Sequence, residues 1–297
     1  MALDTFPGAV WKYSGGGFMI LQKLVEDYSK KSLTQYGYEN IFTKLGMTHS
    51  YFEVPLGESR MANTAKSHDR KGNLVNNGYI YYPELAAAGL WTTSSDLAKL
   101  GLSLMNGFNS KTENGVLSYK TIKSMLTVQK APSGLGWFLN GKGQDFSFSH
   151  GGDTYGYKCE MLFYPKRNEG VVIMTNGEKG QLLIEEILRG LSLINGWVDY
   201  KVKRKKPILL SPAAMKAYTG TYRLTDYPSI QVVVSQAESD LEMTVEQPGI
   251  LPLKAKLFYE GNEKFFRTDI DIELEFFQNR TKLRLNQSGQ VFEATRK

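Results

Sequence analysis

Cysteine and histidine are scarce in this sequence, and their scarcity excludes two kinds of site. The single cysteine, Cys159, has no partner for an intramolecular disulfide. It stands in a segment that predicts a strand, which favours a buried thiol over a reactive one. The three histidines, His49, His68 and His150, form no cluster with cysteine at metal-ligand spacing. We therefore expect no metal site and no other cofactor.

Long hydrophobic runs are also missing. No apolar stretch approaches the roughly 18 residues of a membrane-spanning helix, so we predict no membrane span. The first residues, Met1–Pro7, carry neither a positively charged region nor a long apolar region. We expect no signal peptide in this chain, and its cellular compartment is left undetermined.

Charge is only weakly biased, with a net charge of +6 over 297 residues. Its clearest local source is the basic run Lys201–Lys206, just before Pro207. We interpret this run as a solvated linker, with contact to an anionic surface as the alternative. Because no nucleic-acid-binding motif accompanies it, we predict no nucleic-acid partner.

Helix and strand patterns alternate over the first 200 residues. Apolar residues recur at helical spacing over Phe18–Tyr28, and Thr93–Asp96 fits a capping box for a helix that ends near Gly107. Further helices are predicted at Tyr119–Leu126 and Ile184–Leu191. Short runs rich in aromatic and β-branched residues predict successive antiparallel strands of one sheet. Those runs are Gly136–Leu139, Phe146–Ser149, Tyr157–Tyr164 and Gly170–Thr175.

The pattern changes after Pro207. Short strand signals follow one another closely, with Gly, Asn and Asp between them, which is typical of an all-β sandwich or barrel. We therefore predict a separate C-terminal domain. The strand signals begin at Gly220, Ile230, Leu241, Lys256, Phe265, Ile272, Lys282 and Val291.

Spaced segments of the chain carry a family resemblance. They are Pro7–Phe18, Leu45–Met47, Ala86–Ala98 and His150–Tyr157. In this order they resemble the class C β-lactamase, D-alanyl-D-alanine peptidase and esterase family of penicillin-binding-protein-like serine hydrolases. The resemblance covers about residues 5–195. Tyr218–Tyr222 and Phe265-Phe266 are similar to the lipocalin-like domain often appended to such hydrolases.

The two resemblances imply an α+β fold class and a division into domains. Residues 1–200 correspond to a β-lactamase-like, transpeptidase-like domain, N-terminally truncated, with helices packed on an antiparallel sheet. Residues 207–297 correspond to a small antiparallel, lipocalin-like β-barrel.

The resemblance also implies roles for named residues in acyl transfer, in which a serine attacks a carbonyl and water later releases the acyl group. Tyr13 takes the position of the family's general base. His150 replaces the family's lysine and can bind an anionic substrate group or donate a hydrogen bond. Gly151 and Gly152 let substrate backbone approach the strand. The backbone N–H of Asp153 matches one oxyanion-hole donor.

The family's nucleophile is missing, because Ser-x-x-Lys occurs nowhere in the sequence. The third position of the Tyr-x-Asn loop is Gly15, so an amide that contacts substrate is lost as well. Thr127 and Lys130 have the hydroxyl-x-x-lysine spacing at the wrong place in the motif order, and Ser14 has no evident base. The Gly-x-Ser-x-Gly motif that carries the nucleophile of α/β-hydrolases is absent too, which counts against that class of enzyme.

We therefore expect an N-terminally truncated serine hydrolase homologue whose present residues are inactive by themselves. One alternative is a non-catalytic pseudoenzyme that binds a peptide or acyl ligand in the remaining cleft, and another is an intermolecular split enzyme. In either case the expected ligand is a small molecule or peptide. A domain without its first sheet strands exposes a sheet edge and part of its core, so we expect self-association or a partner segment to cover them.

Overall fold

The computed structural model describes residues 6, 8–130, 132–201, 204–248, 250–268, 272–287 and 290–297. Pro7 of the first motif, and Val202 and Lys203 of the basic run, lie outside the described residues. The chain divides into two compact units, Met1–Lys201 and Val202–Lys297. The first combines helices with an antiparallel sheet and the second contains a closed β-barrel, so the predicted α+β fold class is confirmed.

The first unit contains several short helices and three long ones. The helices are α1 (Gly15–Ser29), α2 (Leu33–Gly37), α3 (Thr43–Leu45), α4 (Glu58–Met61), α5 (Leu85–Ala88), α6 (Ser94–Ser110), α7 (Tyr119–Met125) and α8 (Gly180–Asn195). A π-helical turn, Tyr38–Phe42, joins α2 to α3. Single 3-10 turns lie at Asn76–Gly78 and Gly143–Asp145.

The strands of the first unit form a two-stranded pair and a four-stranded sheet. They are β1 (Tyr51–Phe52), β2 (Leu90–Trp91), β3 (Phe138–Asn140), β4 (Ser147–Thr154), β5 (Tyr157–Tyr164) and β6 (Glu169–Thr175). β1 pairs with β2, and β3 to β6 are antiparallel neighbours in chain order, as predicted. Within the described residues, no strand pairs with the outer side of β6.

Helix α6 begins as predicted and ends later than predicted. Its N-cap is Thr93, whose hydroxyl accepts a hydrogen bond from the Asp96 N–H. The helix continues past Gly107 to Ser110. A Cβ at Gly107 would lie 2.5 Å from Ile122 Cδ1, so this glycine makes room for the neighbouring helix α7. The helix was predicted to end near Gly107, and it ends at Ser110 instead.

Both faces of the four-stranded sheet are covered by apolar side chains. On one face, Phe148 and Phe163 pack with Leu104 of α6 and Ile122 of α7. The other face carries a second cluster, which is Leu162, Tyr164, Ile184, Leu188 and Trp197. Side chains of α6 and α7 therefore pack on one face of β4, and side chains of α8 on the other face of the sheet.

Helix α1 has the predicted amphipathic pattern, but much of its apolar face is exposed in the part of the chain that the structure describes. Leu24 is 62% exposed and Tyr28 is 91% exposed. The opposite side packs on α5, where the Gln22 side-chain oxygen accepts a hydrogen bond from the Ala86 N–H at 3.2 Å. The sequence period identified an amphipathic helix without indicating what covers its apolar face.

The second unit consists of the short helix α9 (Pro212–Lys216) and an eight-stranded closed barrel. The barrel strands are β7 (Gly220–Leu224), β8 (Gln231–Ala237), β9 (Asp240–Gln247), β10 (Ile250–Gly261), β11 (Lys264–Phe266), β12 (Ile272–Phe277), β13 (Lys282–Gln287) and β14 (Gln290–Arg296). Pairing of β14 with β7 closes the barrel and leaves no edge. Bulky buried side chains such as Tyr222, Met243 and Phe265 form its core, as expected for eight strands.

Two further features are absent from the described part of the chain. None of its helices has the length and hydrophobicity needed to cross a bilayer. No group of three or more His, Cys, Asp and Glu side chains in the same residues could hold a metal ion.

Candidate active site

Strand β4 presents a free edge over its second half. β3 pairs with β4 only at residues 147–149, whereas β5 pairs with it along its whole length. In the described structure, no strand pairs with the β3-side edge of residues 150–154. Because the β4–β5 hairpin has a two-residue loop, ladder alternation turns the backbone groups of Gly151 and Asp153 towards this free edge. An extended ligand can add to the sheet here.

The rings of Tyr13 and Phe138 lie beside His150 at the start of the free edge, and the Trp11 ring packs against Phe138. Phe138 lies at the centre, with ring-centroid distances of 5.7 Å to His150, 6.2 Å to Tyr13 and 6.0 Å to Trp11. The Tyr13 and His150 rings are 6.3 Å apart. Tyr13 is 59% exposed and therefore accessible to a ligand. The structure thus brings the two predicted side chains together and adds two rings that sequence reasoning missed.

Contacts on both sides position the segment that carries Tyr13. Ser14 is the N-cap of α1, and its hydroxyl accepts a hydrogen bond from the Gly17 N–H at 3.0 Å. Upstream, Lys130 Nζ donates to two carbonyl oxygens of the N-terminal segment, one of them Gly8 O at 2.6 Å. Tyr13 therefore lies between a helix start and a segment attached to the loop before β3.

One ring nitrogen of His150 is committed to a backbone hydrogen bond. His150 Nδ1 lies 2.7 Å from Gly151 O. A carbonyl oxygen can only accept, so Nδ1 donates, and the neutral ring carries its proton there. The remaining nitrogen, Nε2, is then an acceptor in the neutral ring and a donor in the protonated ring.

The predicted strand glycines lie where a side chain would collide with β5. A Cβ on Gly152 would be 2.5 Å from Cys159 Sγ, and one on Gly151 would be 2.8 Å from Glu160 Oε2. Burial raises the pKa of Glu160 to about 7, so this carboxyl changes charge near neutral pH. Gly15, the first residue of α1, has ordinary van der Waals space around a Cβ. Packing against β5 therefore restricts the strand glycines independently of any ligand.

A buried ammonium group holds the hairpin that carries Asp153. Lys158 Nζ donates to Asp153 Oδ1 at 2.6 Å, to Glu178 Oε2 at 2.8 Å and to Thr154 O at 3.1 Å. Glu178 also accepts from the Gly156 N–H at 2.8 Å. Burial by itself lowers the pKa of Lys158, but the hydrogen bonds to Asp153 and Glu178 outweigh burial and raise it. Sequence reasoning missed this network, because only the register places the ammonium between both carboxylates.

The hydroxyl and thiol groups considered as substitute nucleophiles are engaged or inert. Ser14 caps α1, and the Thr127 hydroxyl donates to Lys123 O at 2.6 Å. Burial raises the pKa of Cys159 to about 11, so its thiolate is scarce near neutral pH.

Comparison with known families and curated proteins gives consistent matches. Residues 1–191 match the family described as Beta-lactamase. The chain is 24% identical over 289 residues to penicillin-binding protein 4* of Bacillus subtilis (strain 168), covering 91% of this chain and 62% of that relative. It is 27% identical over 205 residues to a putative D-alanyl-D-alanine carboxypeptidase of Escherichia coli O157:H7, covering 59% of this chain and 46% of that relative. The chain thus spans 46–62% of the length of these two relatives.

A solved structure with a similar fold is the octameric penicillin-binding protein homologue from Pyrococcus abyssi. The match has a TM-score of 0.53 at 20% identity and covers 98% of this chain and 66% of that chain. At this identity the similarity concerns the fold alone.

Proposed function

Since the chain belongs to the β-lactamase family, we propose that it supplies the substrate-binding strand and the proton-transfer residue of a serine hydrolase. The match to the family confirms the resemblance that the sequence motifs indicated. The proposed reaction is acyl transfer through an acyl-serine, with a β-lactam, a D-amino-acid peptide or an ester as substrate. The observation that carries the proposal is the 6.3 Å separation of the Tyr13 and His150 rings beside the free edge of β4.

In the proposed reaction, the serine oxygen forms a bond to the substrate carbonyl carbon, and the carbonyl π electrons move to the carbonyl oxygen. The serine proton passes to Tyr13 Oη, which takes part as the phenolate and becomes the phenol. The Asp153 N–H on the free edge stabilises the negative charge that develops on the carbonyl oxygen. Tyr13 then returns a proton to the leaving group as the scissile bond breaks. Water cleaves the acyl-serine by the same proton route, and His150 contacts the leaving side of the substrate.

The nucleophile of this reaction is not among the 297 residues, which contain no Ser-x-x-Lys. We expect these residues alone to form no acyl-enzyme. Incubation with a fluorescent penicillin or a fluorophosphonate, followed by intact-mass spectrometry, should give no serine adduct. A stoichiometric serine adduct would overturn this expectation.

A separately produced Ser-x-x-Lys segment tests the roles of the residues present. If the segment restores ester hydrolysis, Tyr13→Phe should lower the restored rate by about 100-fold or more. Tyr38→Phe makes the same chemical change at a position that is 59% exposed, as Tyr13 is, and should leave the rate unchanged. Equal rates for the two variants would contradict the role of Tyr13. Failure of the segment to restore any hydrolysis counts against the split-enzyme form.

A non-catalytic binding module is the second candidate function. It is favoured by the assembly of Tyr13, His150 and the free β4 edge in a chain without the nucleophile motif. This candidate predicts saturable binding of a peptide or acyl ligand without turnover, weakened by His150→Ala. Flat titrations across D-amino-acid peptides and esters would remove it.

We further propose that the uncovered surfaces of the first unit are occupied by a second copy or by a partner segment. They are the outer edge of β6 and the apolar face of α1 around Leu24 and Tyr28. Light scattering over a concentration series should detect self-association, and Leu24→Glu should weaken it. If the protein is a monomer at every concentration, a second copy does not cover these surfaces, and the partner segment is the remaining occupant.

The assignment of residues 1–200 and 207–297 as a hydrolase-like and a lipocalin-like domain stays a prediction. Separate unfolding transitions of the two units would support it.

A further inference from the structure

We infer that this site selects an uncharged substrate with an aromatic group, meaning an ester or amide without a free carboxylate beside the scissile bond. The inference rests on the proposed function, whose substrate classes include both carboxylate-bearing and neutral acyl compounds. It is carried by the hydrogen-bonded state of His150 and by the ring cluster of Trp11, Tyr13 and Phe138.

The hydrogen bond from His150 Nδ1 to Gly151 O, 2.7 Å long, decides what the ring offers a ligand. The neutral ring presents only the lone pair of Nε2. A substrate carboxylate placed there would face an acceptor without a proton between them, which is unfavourable for a desolvated anion. A substrate N–H or O–H can donate to the same nitrogen. The lysine that His150 replaces would present three donors and a full positive charge.

Two lysines that contact segments of the site donate hydrogen bonds to protein oxygen atoms. Lys130 Nζ donates to Gly8 O and Ala9 O. Lys158 Nζ donates to three acceptors, two of which are the carboxylates of Asp153 and Glu178. A substrate carboxylate would have to displace one of the three bonds of Lys158 to pair with its ammonium group, whereas two protons of Lys130 are directed to the N-terminal segment.

The ring cluster offers a surface for a flat apolar group. Tyr13 and Phe138 are stacked with an interplanar angle of 13°, and Trp11 meets Phe138 edge-on at 64°. Tyr13 is mostly exposed, so a ligand ring can contact the cluster. Such a contact contributes about a three- to tenfold gain in affinity over a methyl group. Because the free β4 edge begins at His150, a peptide-like ligand can bond to the strand while its ring occupies the cluster.

Four matched probes separate the effects of charge and ring. They are N-acetyl-D-phenylalaninamide, N-acetyl-D-phenylalanine, N-acetyl-D-alaninamide and N-acetyl-D-alanine. Dissociation constants are measured at pH 8 with the full chain, by NMR titration. We expect the phenylalaninamide to bind most tightly. The carboxylate of the same residue should bind about tenfold more weakly, and the alaninamide about three- to tenfold more weakly.

Two variants test the two observations separately. His150→Lys supplies the missing cation and should reverse the preference in favour of the carboxylates, with the ring preference retained. Phe138→Leu keeps an apolar side chain and should abolish the ring preference, with the amide preference retained. Tyr38→Ala removes a ring that is 59% exposed and lies outside the cluster, and it should leave all four affinities unchanged. Near-UV circular dichroism verifies that each variant is folded.

The outcomes separate this inference from the proposed function. Carboxylates that bind at least as tightly as amides would overturn the assigned role of His150, and equal affinities for phenylalanine and alanine probes would overturn the role of the rings. Either result leaves a ligand-binding site in place. Absence of binding by all four probes to a folded chain would overturn both the inference and the proposed substrate-binding function.

Discussion

Replacing Lys158 with methionine perturbs the ion network beneath the β4–β5 hairpin. The ammonium group donates to Asp153, Glu178 and Thr154 O over 2.6–3.1 Å, which uses all three of its protons. Methionine retains most of the apolar stem but leaves the Glu178 carboxylate, only 13% exposed, without its cation. Removal of one partner from a buried ion pair costs about 3–5 kcal/mol. Because Asp153 is 77% exposed and can regain water, we expect the lower limit, about 3 kcal/mol.

Urea unfolding followed by tryptophan fluorescence reports on the first unit, which contains Lys158. All four tryptophans lie within Met1–Lys201, at positions 11, 91, 137 and 197. Adding Glu178→Gln to Lys158→Met removes the unpaired charge, while the amide oxygen can still accept from the Gly156 N–H. The double variant should therefore recover at least about half of the lost free energy of unfolding.

The pH dependence of this contribution follows from the raised pKa of Lys158. The stabilisation is fully present below the unfolded pKa of about 10.4 and is lost as the pH rises through the folded pKa. The loss caused by Lys158→Met should therefore be equal at pH 6 and pH 8.

Lys23→Met is the matched control for the same assay. Lys23 pairs with Asp27 on the surface of α1, where the two side chains are 71% and 60% exposed. Its replacement should change the free energy of unfolding by less than about 0.5 kcal/mol. A loss below about 1 kcal/mol for Lys158→Met, or a double variant no more stable than the single one, would refute the argument.

Three further changes test other contacts of the first unit by the same unfolding assay. Asp96→Asn should cost about 2 kcal/mol at pH 7. Burial by itself raises the pKa of Asp96, but hydrogen bonds from Lys99 and from residues 49 and 50 outweigh burial and lower it. Its contribution is therefore present above the unfolded pKa of about 3.9 and is lost as the pH falls through the folded pKa; a pH-independent cost would contradict this. Gly101→Ala puts a methyl group within the van der Waals surface of the Phe163 ring and should cost about 1–3 kcal/mol, whereas a neutral result would contradict the packing argument. Glu160→Gln should stabilise the protein by up to about 3 kcal/mol at pH 8 and by almost nothing at pH 4, because burial raises the folded pKa to about 7 and penalises the ionised form. Equal effects at both pH values would contradict that cause.

Local patterns predicted most of the elements, because caps, turns and side-chain periods are properties of neighbouring residues. Thr93 begins α6 as its capping box indicates. The exact end of α6, at Ser110, could not be located from Gly107, because a glycine that ends a helix and a glycine that admits a packed neighbour look the same in sequence. The close spacing of the C-terminal strands was compatible with a sandwich or a barrel, and only the resemblance to lipocalin-like domains favoured the barrel. Pairing of Leu224 with Ala294 closes the barrel, and these residues are far apart in sequence.

The sequence by itself determined the family motifs around Tyr13 and His150 and the absence of Ser-x-x-Lys, because each is a short string of residues. Only the tertiary structure decided which side chains meet there. Phe138 reaches His150 because β3 pairs with the first half of β4, and Lys158 reaches Asp153 and Glu178 because the β4–β5 register places it there. Strand register is set by packing over the whole sheet, so no local motif carries these contacts.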